Sequence, residues 1–152
     1  MEALLAAVPV RVPFDPAEFC QRVAAWRGRP IRLKAVDTVA VGLPSGTFYE
    51  QDAADTILYD ETTTFHHQCA IILHELWHLV AGHYSERTVG EDAAEFLLPL
   101  IGRGQLRRWA ARDSYAATEE REAERFARRV LEIIGRRQGS ALADRLGETF
   151  GE

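Results

Sequence analysis

The sequence predicts an α+β domain in which a small antiparallel sheet packs against a helical core. Three observations lead there. Between Ile31 and Tyr59 short apolar runs with strand character are separated by turn clusters. From about Thr64 to Ala81 apolar residues recur all round a helix, as in a buried one. Helical periodicity returns near the C-terminus, and at 152 residues the chain is long enough to bury one core unaided. Residues 1–152 therefore read as one domain, with a core at about 15–135 and a helical tail at 136–152.

The elements follow in order. Asp15-Pro16 is an N-cap followed by a first-turn proline, opening a helix through Phe19, Val23 and Trp26 that Gly28-Arg29-Pro30 ends. Ile31 to Val36 alternates with period two, and Val39-Ala40-Val41 prolongs that strand signal. Gly42 to Gly46 is a turn cluster, after which Thr47–Glu50 and Thr56–Tyr59 form a strand pair bridged by the polar segment Gln51–Asp55. Asp60 to Thr64 supplies caps for the buried helix, and Gly82 stops it. Glu91 to Leu100 has helical spacing, Gly102 to Gly104 breaks the chain, and a short helix is expected from about Gln105 to Ala111. After a polar link at Asp113-Ser114, a longer helix runs from about Ala117 to Ile134. Gly135, Gly139 and Gly147 punctuate a tail that holds one more short helix, Ala141 to Leu146.

Composition narrows the function. Hydrophobic residues make up 47% and charged residues 27%, the balance of a soluble globular protein. No stretch has the roughly 18 uninterrupted apolar residues of a membrane span. The first residues place Glu2 where a secretory signal needs positive charge, so a cytoplasmic chain is expected. Cys20 and Cys69 are far apart and read as small buried thiols. A net charge of −5 opposes wholesale nucleic-acid binding, and the arginine clusters around Arg107 and Arg128 read as solvated helix faces.

Chemistry is concentrated in His74-Glu75-Leu76-Trp77-His78, an H-E-x-x-H motif inside the apolar helix. Residues four apart on a helix differ by about 40° and share a face, so His74 and His78 can close on one metal ion. Glu75 beside them is placed to take a proton from a water on that metal, the general-base role of metallopeptidases. Burying two imidazoles and a carboxylate in an apolar helix costs desolvation, which ligation offsets.

Catalytic zinc takes three protein ligands, so one more is needed. His83 is the nearest, but the register of the metzincin pattern H-E-x-x-H-x-x-G-x-x-H fails at Ala81 and Tyr84, and on a continuing helix His83 points about 140° from His78. On the later helix, Ala123, Phe126, Ala127, Val130 and Ile134 define a buried face. Glu119 and Glu120 lie within about 60° of that face, whereas Glu122 and Glu124 sit about 100° off on its flanks. Glu119 and Glu120 both remain open on spacing alone, and both also suit the first turn of any helix.

The run Thr64 to His83, with Leu73-His74-Glu75-Leu76-Trp77-His78 and Gly82-His83 in it, and the downstream Glu120-Arg121-Glu122-Ala123-Glu124-Arg125-Phe126-Ala127, together resemble the ImmA/IrrE family of metallopeptidase-like proteins. That family shows L-H-E-x-x-H-x-x-x-G-H and then E-x-x-A-(N/D/E)-x-F-A, and the likeness covers roughly Ile31 to Ile134. It implies a zincin-like core, zinc as cofactor, and Glu120 as third ligand, with Glu122 the fallback. Trp77 stands where relatives carry Gly, and is expected to narrow the substrate groove or pack against a partner.

A tetrahedral oxyanion needs a second stabiliser. His66, His67 and Tyr84 are the first candidates, with His83 and Tyr115 beside them. The resemblance implies a regulatory endopeptidase that cleaves or inactivates a helix-turn-helix transcriptional repressor carried on a separate chain. The alternative is a non-catalytic protein-binding module, such as one component of a toxin–antitoxin pair. A zinc hydrolase of small molecules is a third reading.

Overall fold

The computed structural model describes residues 1–83, 106–110 and 116–150. The first element is a helix the periodicity does not announce. Helix α1 (Glu2–Ala7) is too short to show a 3.6-residue period, and its burial of Leu4 beside Val8 and Val10 gives it the tertiary support that an isolated six-residue helix lacks. Helix α2 (Pro16–Arg27) begins as its sequence dictates. The Asp15 carboxylate accepts from the backbone N–H of Ala17 and Glu18, and Gly28, in the left-handed conformation at φ 76°, ends the helix.

Strands β1 (Ile31–Val36), β2 (Gly46–Gln51), β3 (Asp55–Asp60) and β4 (Leu106–Ala110) form one sheet in the order β1-β3-β2-β4. The β2–β3 hairpin is antiparallel and centred on Phe48 opposite Ile57. The sheet as a whole is mixed, not antiparallel as expected, because β1 runs parallel to β3, with Ile31 opposite Asp55 and Val36 opposite Asp60. After β1 the chain crosses one strand position before returning as β2, and β3 fills the slot between them. Alternation along a strand encodes which face is buried, not which neighbour it takes.

Val39-Ala40-Val41 belongs to that crossing turn and does not prolong β1. The Asp37 carboxylate accepts from Ala40 N–H, Leu43 N–H donates to the Thr38 carbonyl, and Val39 is left exposed. A second correction falls on residues 106–110, expected as helix and found as β4. This run is too short to establish a helical period. The otherwise open side of β2 offers a ladder, with Tyr49 opposite Trp109 and a bulge between Glu50 and Gln51, and pairing outweighs the helix propensity of leucine and arginine. The expected helix Glu91–Leu100, the break at 102–104 and the link Asp113-Ser114 lie outside the described residues.

Helix α3 (Phe65–Ala81) crosses β2 and β3 on one side and packs against the last helix on the other. An element covered on both sides is apolar all round, and every residue from Ile71 to Leu79 is buried. Helix α4 (Ala117–Phe150) is one continuous helix, where a stop near Ile134 and a separate short helix were expected. Single glycines cost a helix about 1 kcal/mol each without breaking it. Ala123, Phe126, Ala127, Val130 and Ile134 are buried, the face the sequence assigns. They join Phe19, Val23, Phe48, Ile57, Ile72, Leu73 and Leu76 in one core, where each large side chain contributes about 1.5–3 kcal/mol by leaving water. Among the described residues no helix is long and apolar enough to cross a membrane.

Candidate metal centre

Thr64 opens α3 by accepting the His67 N–H on its hydroxyl, and Gly82 closes it in the left-handed conformation at φ 72°. Just before the cap, the backbone N–H and hydroxyl of Thr62 donate to the Asp60 carboxylate at 2.9 and 2.8 Å and hold it below the usual carboxylate range. The helix register so fixed places His74 and His78 one turn apart. Their rings meet edge to face with centroids 4.8 Å apart, and the two Nε2 atoms are 3.1 Å apart.

The first turn of α4 completes the set. Glu120 sets one carboxylate oxygen 3.4 Å from His74 Nε2 and the other 3.3 Å from His78 Nε2. One donor atom from each of these three residues falls within 4.8 Å of the others, and no other such group occurs among the described residues. Donors bonded to one tetrahedral zinc at about 2.0–2.1 Å lie roughly 3.3 Å from each other. The His74–His78 nitrogen pair matches that edge length, and each of these nitrogens has one of the two Glu120 oxygens at a similar distance, so the residues fit the ion. Both histidines are buried, and a nitrogen–nitrogen–oxygen set is the kind zinc takes rather than calcium or magnesium, which prefer oxygen alone.

Neighbouring carboxylates separate by role. Glu119, open beside Glu120 on spacing, reaches back to accept the Ala116 N–H at 2.9 Å and caps the helix. Glu122 lies 3.6 Å from His83 Nε2, one layer out from the triad. Glu75 is buried and lines, with His74, a cleft of about 640 Å³. Ser45, Gly46, His67, Ala70 and Ile71 form one wall of that cleft; Glu124, Ala127, Arg128, Leu131 and Glu132 form the other.

His67 thus sits on the cleft, its Nδ1 2.8 Å from the Thr63 hydroxyl, but about 10 Å along the helix axis from His74. That separation suits contact with a bound chain more than with a reacting carbonyl. His66 is exposed and is not part of the cleft wall, and Tyr84 and Tyr115 lie outside the described residues. Trp77 faces neither groove nor solvent. It stacks on Phe126 of α4 with ring centroids 4.9 Å apart, fixing the spacing of the two helices that carry the triad.

Two functional neighbours escape sequence reasoning. Gly46 looks like part of a turn cluster, yet it starts β2 where the strand meets Ile71 and Glu75. A glycine opening a strand is the available signal, since such residues mark close backbone approach. Arg128 is exposed, as its solvated face predicts, and it also borders the cleft. No family model, curated protein or solved structure matches the chain.

Proposed function

We propose that the chain is a zinc-dependent regulatory metallo-endopeptidase of the ImmA/IrrE type, which cleaves or inactivates a helix-turn-helix repressor in the cytoplasm. The observation that carries the reading is the convergence of one donor atom each from His74, His78 and Glu120 to within 4.8 Å of one another, beside a cleft that His74 and Glu75 line. His74 Nε2, His78 Nε2 and a Glu120 oxygen would hold the ion. Bound there, zinc supplies Lewis acidity, polarising an amide carbonyl and lowering the pKa of water toward neutrality.

The chain's own residues do the rest. Glu75 takes the proton of the attacking water and passes it to the departing amine. The cleft walls on β2, α3 and α4 hold an extended peptide with its carbonyl toward His74. His67 meets that peptide away from the scissile bond. Any approach to DNA runs through the repressor, in keeping with the net charge of −5.

The test is co-expression with the repressor encoded beside the gene, comparing wild type with Glu75→Gln. Wild type should deplete the repressor, while Glu75→Gln should retain one equivalent of zinc and leave the repressor intact. Equal repressor survival in the two strains sinks proteolysis. A purified protein that takes up no zinc turns the reading to a binding module, such as a toxin–antitoxin component.

A further inference from the structure

We propose that His83 is a positioning residue of the metal centre, an acceptor that fixes the tautomer and orientation of the ligand His78, with Glu122 behind it. The proposal rests on the metal reading of the triad and adds to it a layer that the H-E-x-x-H spacing does not contain. The geometry begins at the helix end. Were α3 to continue, His83 would point about 140° away from His78. Gly82 turns the chain left-handed instead, and His83 N–H donates to the His78 carbonyl at 2.9 Å, folding the His83 ring back over the His78 ring. The two rings meet edge to face, with centroids 5.3 Å apart and Nδ1 atoms 3.1 Å apart.

The protons follow from the nitrogens. His78 Nε2 faces His74 Nε2 and Glu120, so an ion at that point needs its lone pair. A neutral imidazole then carries its proton on Nδ1. His78 is fully buried, and its Nδ1–H needs an acceptor. His83 Nδ1 supplies one only as the unprotonated nitrogen, which puts the His83 proton on Nε2. That nitrogen faces the Glu122 carboxylate 3.6 Å away. The His83 ring thus sets the tautomer of His78, and the half-exposed Glu122 carboxylate, too far for a hydrogen bond, favours the His83 Nε2–H by its charge alone. Groups that orient a ligating histidine in this way typically change metal affinity about 10–100-fold when removed.

Metal-free full-length protein is titrated with zinc against a chromophoric chelator, for wild type and the variants His83→Ala, His83→Phe, His83→Asn and Glu122→Gln. Circular dichroism of the metal-free forms checks that each is folded. Wild type should bind one equivalent, and His83→Ala and His83→Phe should weaken binding about 10–100-fold. His83→Asn, whose amide oxygen can accept where Nδ1 did, should recover most of the loss. Glu122→Gln should cost only a few-fold, since its contact is long and half exposed. Nitrogen-15 shifts of His78 should report an Nδ1-protonated ring in wild type and a mixture of tautomers in His83→Phe. Wild-type binding with His83→Ala within twofold of it, or with His83→Phe equal to His83→Asn, overturns the inference while leaving the triad standing. A wild-type protein that binds no divalent ion overturns the triad itself.

Discussion

A Cβ placed at Gly46 would fall 2.5 Å from Ile71 Cγ2 and 2.9 Å from Glu75 Oε1. The strand and Ile71 cannot retreat easily, because β2 is laddered to β3 and β4 while Ile71 rides on a buried helix, so the Glu75 carboxylate is the part that swings away. Gly46→Ala should therefore cost about 1–3 kcal/mol of stability by overpacking. Displacing Glu75 should also lower kcat/KM by on the order of 100-fold, with zinc affinity nearly unchanged. Urea unfolding, peptide hydrolysis and zinc titration separate the three, and an active Gly46→Ala would show that this contact does not place the base. The thiols give a second prediction. Burial pushes Cys20 up to about 12 and Cys69 up to about 11, whereas an unfolded thiol ionises near about 8.5. Between those values the unfolded chain has lost protons that the folded chain keeps, so stability is fully present below about pH 8.5 and falls as pH rises through 11 and 12. Both cysteines should resist a thiol reagent at pH 8 until denaturant is added; rapid labelling of the native protein contradicts the burial. At this scale the sequence is most readable where chemistry is local. His74, Glu75 and His78 are legible because one helical turn relates them, and Glu120 only because its motif resembles a family pattern. Gly46 is not, since its role depends on a strand meeting a helix, and His83 is legible as a candidate but not as a neighbour of His78, because that contact depends on a left-handed turn.

Among the elements, α2 and α3 are legible nearly to the residue, because Asp15, Thr64, Gly28 and Gly82 are caps whose side chains or backbone freedom mark the ends. The sheet is legible as strands but not as a topology. β1 finds its partner across a crossing turn, and the strand at 106–110 depends on an available neighbour rather than on its own pattern. The glycines of α4 suggest a stop near Ile134 that the helix does not make. Gly135 and Gly139 are helical, and a Cβ on either meets nothing within 4 Å. The backbone freedom those glycines carry in the unfolded chain is thus lost on folding with no packing gained in return. Gly135→Ala, one residue past the core position Ile134, should stabilise by about 1 kcal/mol, raising Tm by about 2–4 °C. Gly139→Ala lies further out, beyond the bond from Arg137 Nη1 to the Val10 carbonyl at 2.6 Å. Its effect should appear mainly as slower amide exchange in the last turns of α4. A lowered Tm for Gly135→Ala would mean that the helix bends or breaks there.

Across the whole molecule, two polar clusters join parts of the fold that hydrophobic packing alone leaves loosely registered. Asp55, fully buried at the start of β3, pairs with Arg27 at the end of α2 and with Arg29 before β1, tying α2 to the hairpin. Replacing it by Ala leaves two guanidinium groups in a mostly buried corner without their shared carboxylate, and should cost about 3–5 kcal/mol. The triad is the second tie. His74 and His78 belong to α3 and Glu120 to α4, two helices otherwise held by packing such as the Trp77–Phe126 stack. An ion held by all three binds the folded chain and not the unfolded one, so its binding free energy adds to global stability. With free zinc at about 1,000 times Kd the gain is about 4.1 kcal/mol, or roughly 8–16 °C in Tm for a chain of this size. A chelator should reverse it. Glu120→Gln should lose most of the increment, and Glu75→Gln should keep it, because that carboxylate lies outside the ligand set. Asp55→Ala should lower Tm with and without zinc by similar amounts, since the two clusters share no partner and their effects add. Calorimetry of the four proteins at saturating zinc and in chelator reads all of this at once. Identical melting of wild type in the two conditions, or a zinc shift in Glu120→Gln equal to that of wild type, would show that no ion ties the two helices through this triad.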